Sequence, residues 1–432
     1  MSYSSEHRSE MPGQAIVLLL VILLLSLFGL CYIYSTGYIG DDYPVRENWQ
    51  RQLVYVLLGL LVFRVLAGWS NQNFSWRFLV LSGYLLSLLG LVLVLLFGRQ
   101  VGGARRWLVL GSFFLQPAEF AKVFTMLAIC LMLTTGRIKS GWLRLLGAIA
   151  LLIPPVLLIK MEPSLGNAVA MLPPFLALVL VKHCPVRLCL TLTMLALILV
   201  AAAVTGLFYL RSLPVQPEIL RQAGTAQSSS LFFRSYHLRR LQSYLSGQGG
   251  WNERQSLMAV ASGGWHGKGF LNGTQKSLGY LPRTVAPTDF IFSVIAEEGG
   301  FLWGSLPIVF LYMLLLAVCL HWGATAATEL DCLLCVAFST LCMVHIVVGL
   351  GMTVRVLPII GLPLPLLSYG GSFTLCVFAM LGFMAATRLN AKSGSHSRPQ
   401  PEISFSWGRL LRFQLRPAGL TRTGKAAGDT PD

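Results

Sequence analysis

The chain has 432 residues, 55% of them hydrophobic and 12% charged, with a formal net charge of +16 and a mean hydropathy of +0.68. Soluble domains carry about 25% charged residues, so these side chains cannot coat a water-facing surface of this size, and a soluble globular enzyme is excluded. The positive charge does not mark a nucleic-acid binder either. It gathers in two places: eight basic residues in the tail from Arg388 to Lys425, and eight more in a polar stretch at 212–288.

In chain order, ten apolar segments are expected to be membrane spans, near residues 14–36, 53–68, 78–97, 119–135, 143–159, 167–182, 188–211, 290–320, 332–352 and 367–387. A helix needs about 20 apolar residues to cross about 30 Å of hydrocarbon. The first run is too long for a signal-peptide core and lacks a cleavage pattern, so it reads as an uncleaved span. The predicted fold is all-α: a ten-span bundle over 14–387, between a cytoplasmic N-terminus (1–13) and a basic, disordered cytoplasmic tail (388–432). The short loops give little bias, but the tail favours the cytoplasm, and an even number of spans places both termini there. The 212–288 loop then lies outside; it exceeds the ~60 residues over which the charge rule acts. Its eight basic residues, against Glu218 and Glu253, need a reason to face outward. Cys332 and Cys335 form a C-x-x-C with no second pair or histidine at zinc-like spacing, so no metal or redox role is read there.

Four polar islands sit where a membrane protein ordinarily avoids them. The first runs from Gly102 to Trp107, including Arg106, and continues at Gln116-Pro117-Ala118-Glu119-Phe120-Ala121-Lys122. Gln116-Pro117 suits a helix start, and Glu119 and Lys122, three apart, share a helix face and can pair. Either the pair orients the helix or it touches a ligand. The second is glycine-rich, from Ser262 to Gly269 and then Gly273-Thr274-Gln275. Its backbone could approach an anion, with Lys268 reaching a phosphate; the alternative is a flexible exposed loop.

The third island is Thr288-Asp289-Phe290, leading to Glu297-Glu298. Asp289 stands just before an apolar run, and Thr288 or Asp289 could instead be an N-cap. One of the two glutamates is expected to face an arginine or lysine inside the bundle. In the fourth, Pro358 and Gly361 to Ser372, proline and glycine at this density imply a broken helix lining a cavity.

Taken in order, these segments resemble the SEDS family (shape, elongation, division and sporulation), which includes RodA, FtsW and SpoVE. The G-(A/S)-x-R-W … Q-P-(S/A)-E-F-x-K pattern is met by Gly103–Trp107 and Gln116–Lys122. T-D-F-I-F … E-E-x-G is met by Thr288–Phe292 and Glu297–Gly300, and P-x-x-G-x-P-L-P-x-x-S-Y-G-G-S by Pro358–Ser372. Three departures stand out. The family's L-P-E-x-H-T-D run has two extra residues between Pro282 and Asp289, without the Glu and His. Its Q-P-D-x-G appears as Glu162-Pro163-Ser164-Leu165-Gly166, and Arg355 stands where glycine is common. The glycine-rich island resembles the RodA branch more than the FtsW branch.

The resemblance implies a peptidoglycan glycosyltransferase that polymerises lipid II and releases undecaprenyl diphosphate, in the inner membrane, during elongation. It makes Asp289 the catalytic residue, as base or as ligand of a divalent cation (Mg2+ or Mn2+), with no organic cofactor. Arg106, Trp107, Glu119, Lys122, Lys268, Gln275, Ser368 and Tyr369 become substrate-binding candidates. Gln116, Pro117, Glu297, Glu298, Pro358, Pro363, Pro365, Gly370 and Gly371 are expected to support them. Implied partners are a class B penicillin-binding protein and other elongation-complex membrane proteins. A septal polymerase, a lipid II transporter and an inactive scaffold remain open alternatives.

Overall fold

The computed structural model describes residues 10–38, 47–68, 74–101, 104–111, 113–162, 164–183 and 250–389. The predicted span at 188–211, loop residues 212–249 and the basic tail from 390 onward lie outside the described residues, as does most of the N-terminal segment. The described helices, in order, are α1 (Glu10–Gly37), α2 (Asn48–Ala67), α3 (Phe74–Phe97), α4 (Pro117–Thr134), α5 (Gly141–Met161), α6 (Leu165–Ala170) and α7 (Leu172–His183). Then come α8 (Trp251–Gly263), α9 (Thr274–Ser277), α10 (Ile291–Gly299), a π-helical turn at Gly300–Ser305, α11 (Leu306–Ala324), α12 (Glu329–Thr353) and α13 (Gly371–Leu389).

Eight helical stretches are long and apolar enough to cross a membrane, with α10, the π turn and α11 forming one continuous stretch; residues 166–182 make a shorter apolar helix. This is the expected polytopic helical membrane fold. On α1, Leu18, Val21, Ile22 and Leu25 are buried, while Leu20, Leu23, Leu24 and Leu27 on the opposite side are exposed. Such a helix is apolar all round and needs hydrocarbon on its outer side. Most of α4 and α13 is buried, whereas α2, α3 and α5 face outward along much of their length. Helices α2 and α13 pack closely because Gly59 lies under the Phe378 ring and Gly382 against the Phe63 backbone; side chains there would hold them apart.

Two features were not legible as helices. Between α3 and α4 the chain forms a three-stranded antiparallel sheet, β1 (Arg99–Val101), β2 (Ala104–Leu110) and β3 (Phe113–Leu115). The described part of the long loop is an ordered cap rather than a free loop. Ser256 of α8 bonds the Thr353 carbonyl (2.9 Å) and meets Ser293 of α10 at 2.6 Å, docking α8 on α10 and α12.

Candidate active site

Contacts between distant segments gather the sheet, the α5–α6 region, α8–α9, the turn before α10 and the broken segment between α12 and α13: Arg106 bonds Glu162, Gln116 bonds Ser372, Ser256 bonds Thr353, Lys268 bonds Glu297 and Ser368 bonds Thr288. All four polar islands meet there.

Asp289 lies at the end of a tight turn, half-buried, with its amide bonded to the Val285 carbonyl at 3.1 Å. The cap position of α10 falls on neither Thr288 nor Asp289. The N-cap position is Phe290, which makes no side-chain cap bond, and the Thr288 hydroxyl turns back to the Val285 carbonyl at 3.1 Å. The carboxylate instead faces the broken segment: a Cβ added at Gly361 would lie 3.8 Å from Asp289 Oδ2. Gly361 has φ +75°, a left-handed backbone that any other residue would strain.

Several groups tie the broken segment to its surroundings. The Ser368 hydroxyl donates to the Thr288 carbonyl (2.6 Å) and accepts from the Leu364 amide (2.9 Å), while the Tyr369 amide donates to the Pro287 carbonyl (2.8 Å). Two of the proposed substrate ligands thus clamp the Asp289 turn. Gln52 of α2 accepts from the Gly370 amide at 3.1 Å, and Tyr312 of α11 donates to the Pro365 carbonyl at 2.7 Å. The Gln116 amide donates to Ser372 Oγ (3.0 Å), and α4 begins at Pro117 as its sequence suggests. Gly371 sits against the Tyr55 ring. Proline at 358, 363 and 365 removes backbone donors that would otherwise need partners in this non-helical stretch.

Beneath the segment is a buried polar network. Glu119 and Lys122 form an ion pair at 2.9 Å with side chains 3% and 2% exposed, so the predicted pairing is present and neither group faces an open groove. The Lys122 ammonium also reaches Asn167 Oδ1 at 3.0 Å and His345 Nε2 at 3.1 Å. An ammonium only donates, so Nε2 accepts and the proton sits on Nδ1, which meets the Pro363 carbonyl at 3.0 Å. His345 also stacks on Phe373, with ring centroids 4.8 Å apart. The ion pair is therefore wired to the broken segment through one neutral histidine.

Both glutamates of the third island face lysines, and both lysines come from the loop. Glu297 accepts from Lys268 Nζ (2.6 Å), the Thr274 amide (2.9 Å), its hydroxyl (2.8 Å) and the Gln275 amide (3.1 Å). Glu298 is bound by Lys276, by Ser35 of α1 at 2.7 Å and by the Leu271 amide at 3.1 Å. The structure thus gives Lys268 a carboxylate partner and not the free ammonium expected of a phosphate ligand. The glycines have a different task from the one expected, too. Gly267 and Gly300, both with positive φ, let two backbones touch, since a Cβ at Gly267 would come within 2.1 Å of the Glu298 carbonyl oxygen. Arg355 adopts φ +58° and lies 4.0 Å from Glu253 of α8, which explains why a glycine suits this position and what the arginine adds.

On the sheet, Trp107 meets Phe114 edge-on, and Arg106 Nε donates to the Glu162 carbonyl at 3.4 Å. Glu162, at the end of α5, is wholly buried, and burial pushes its carboxyl up from 4.5 to about 8 despite the Arg106 charge nearby. A carboxyl whose pKa is raised on folding favours the folded state below its ordinary range and loses that advantage as pH climbs toward the raised value. Glu162→Gln should therefore melt higher than the parent at about pH 8, by a few kcal/mol of stability, and converge with it near pH 5. Melting in detergent across that window checks this; a pH-independent difference contradicts it.

A family model described as FtsW/RodA/SpoVE, cell cycle protein, matches residues 15–393. The chain belongs to the FtsW/RodA/SpoVE family. Among its relatives, the peptidoglycan glycosyltransferase MrdB of Escherichia coli is 30% identical over 381 residues, 88% of this chain and 95% of that one. The peptidoglycan glycosyltransferase RodA of Treponema pallidum is 29% identical, over 82% of this chain and 93% of its own. A solved structure titled for the coordination of polymerization and crosslinking by a peptidoglycan synthase complex superposes with a TM-score of 0.64, at 29% identity, covering 86% of this chain and 97% of that one. The rod shape determining protein RodA of Thermus thermophilus superposes at 0.57, with 27% identity, over 86% of this chain and 96% of its own.

For an FtsW/RodA/SpoVE member, the donor set bears on the cation. Among the described residues no three His, Cys, Asp or Glu side chains gather to hold a metal. Magnesium is commonly held by one or two carboxylates plus substrate phosphates, and Asp289 fits that shared mode, not a cage made by protein alone. Sequence reasoning passed over Gln52, just before the second apolar run, and over Asn167 and His345, although a polar residue inside an apolar run, as these two are, is itself a signal. Ser35 and Lys276 carried no local signal.

Proposed function

We propose that this chain is a peptidoglycan glycosyltransferase that polymerises lipid II into glycan strands at the outer face of the cytoplasmic membrane, in side-wall elongation. One observation carries the reading: the Asp289 carboxylate, on a turn whose Thr288 and Pro287 carbonyls are held by Ser368 and Tyr369, faces the backbone of the broken segment at Gly361. In glycosyl transfer the acceptor's 4-hydroxyl loses a proton to a base within hydrogen-bond reach, and Asp289 is that base. The new bond joins the hydroxyl oxygen to the donor's anomeric carbon. The bond to the diphosphate breaks, and undecaprenyl diphosphate leaves with the electron pair. Asp289 is also the residue that would hold Mg2+ or Mn2+, and such a cation would supply positive charge for the leaving group. The half-buried Arg106 adds a fixed guanidinium at the same end of the bundle.

The relatives named RodA and MrdB support an elongation role, and the structure titled for a synthase complex supports a penicillin-binding protein partner. Purified protein with lipid II and Mg2+ or Mn2+ should yield glycan polymers, and chelation should stop the reaction. Lipid II movement across a vesicle without polymer would favour a transporter, and neither outcome would leave a scaffold.

A further inference from the structure

Among the buried acids that take no part in the mechanism is Glu162. Glu162 has no exposed surface, and neither carboxyl oxygen has a hydrogen-bond partner among the described residues. A buried polar group without partners costs about 1–3 kcal/mol, and more if charged, so the fold holds Glu162 at a price it does not recover internally. The location is telling. Four residues on, the start of α6 packs on the broken segment, where a Cβ at Gly166 would come within 2.6 Å of the Ile360 carbonyl oxygen. The next residue of that segment, Gly361, faces Asp289. Arg106 leans over the other side and bonds the Glu162 main chain.

The family pattern places its acid two positions later in this turn, where Ser164 stands here. Ser164 is buried too, and its amide closes the turn onto the Ile159 carbonyl at 3.3 Å. An acid in this turn is thus present, but at a different position.

We propose that Glu162 is a specificity-determining contact that accepts a hydrogen bond from the saccharide of the substrate, a sugar hydroxyl or acetamido N–H, beside the Asp289 centre. The proposal rests on the glycosyltransferase reading given above. The raised carboxyl pKa accords with it, because a neutral acid offers a carbonyl acceptor without the cost of burying a charge. A glutamine offers the same acceptor, whereas methionine fills the space without one.

The test is steady-state polymerisation of lipid II by full-length protein in detergent, with Glu162→Gln and Glu162→Met. Glutamine should keep KM within about threefold of the parent, and methionine should raise it about tenfold, the scale of one lost hydrogen bond. Parental KM in a folded Glu162→Met overturns the proposal and leaves the function standing. A parent that neither polymerises nor binds lipid II removes both. A measurement without any variant guards against misfolding: labelling of the parent with an apolar carbodiimide, which attacks protonated buried carboxyls, read by mass spectrometry. Lipid II should protect Glu162. Equal labelling with and without lipid II, or a carboxyl the reagent never reaches, overturns the subsite.

Discussion

Asp289→Asn abolishes polymerisation, lowering the rate by about 100-fold or more, while expression, insertion and detergent melting stay at parental levels. The size follows from removing the base that takes the acceptor's proton, a contribution of about 10²–10⁴ in such reactions. The selectivity follows from how the turn is built. Its closure is made by the backbone bond from Asp289 to Val285, by Ser368 on the Thr288 carbonyl and by the Tyr369 amide on Pro287. Asparagine preserves the shape and loses only the charge and basicity. Purified Asp289→Asn that polymerised lipid II at the parental rate would remove this residue from the chemistry, and a variant that melted much lower would show that the carboxylate holds the turn.

Glu119→Ala destabilises the bundle by about 3–5 kcal/mol, the cost of leaving one partner of a buried ion pair uncompensated. Lys122 would keep its contacts to Asn167 and His345, neither of which carries a balancing negative charge. Replacing both partners by apolar residues, as in Glu119→Leu with Lys122→Met, should recover most of the melting temperature, since a packed apolar pair avoids desolvating two charges. Activity should not return with it. His345 would lose the Lys122 donor that fixes its tautomer, and with it the orientation toward the Pro363 carbonyl. Unchanged melting in Glu119→Ala would refute the structural role of the pair; full activity in the double variant would refute the link to the broken segment.

The sequence already exposed much of this arrangement, because the bilayer makes polar residues conspicuous. The apolar runs marked the helices, and Glu119 and Lys122 announced their pairing through spacing alone. What stayed hidden depends on contacts between distant segments. Nothing near Ser35 says that it will join Glu298 and Lys276. Lys268 looked like a phosphate ligand because its own neighbours are glycines, yet its partner is Glu297, twenty-nine positions away. The strands at 99–115 were missed because three short strands beside long apolar helices leave little periodic signal. Thr288 and Asp289 matched the residue types of an N-cap, and the backbone placed the cap one residue later.

The wide turn at Gly300–Ser305 has a consequence for how this protein tolerates length changes. A π turn accommodates one residue more than an α-helix would, and each α-helical residue advances the helix by about 100°. Without that widening the extra residue would swing Glu297 and Glu298 by roughly that angle relative to α11, unlatching both loop lysines at once while every span kept its length and greasiness. The stretch from Gly300 to Ser305 is therefore a phase setter: it fixes the angular position of the outer cap with respect to the helix that carries it through the bilayer.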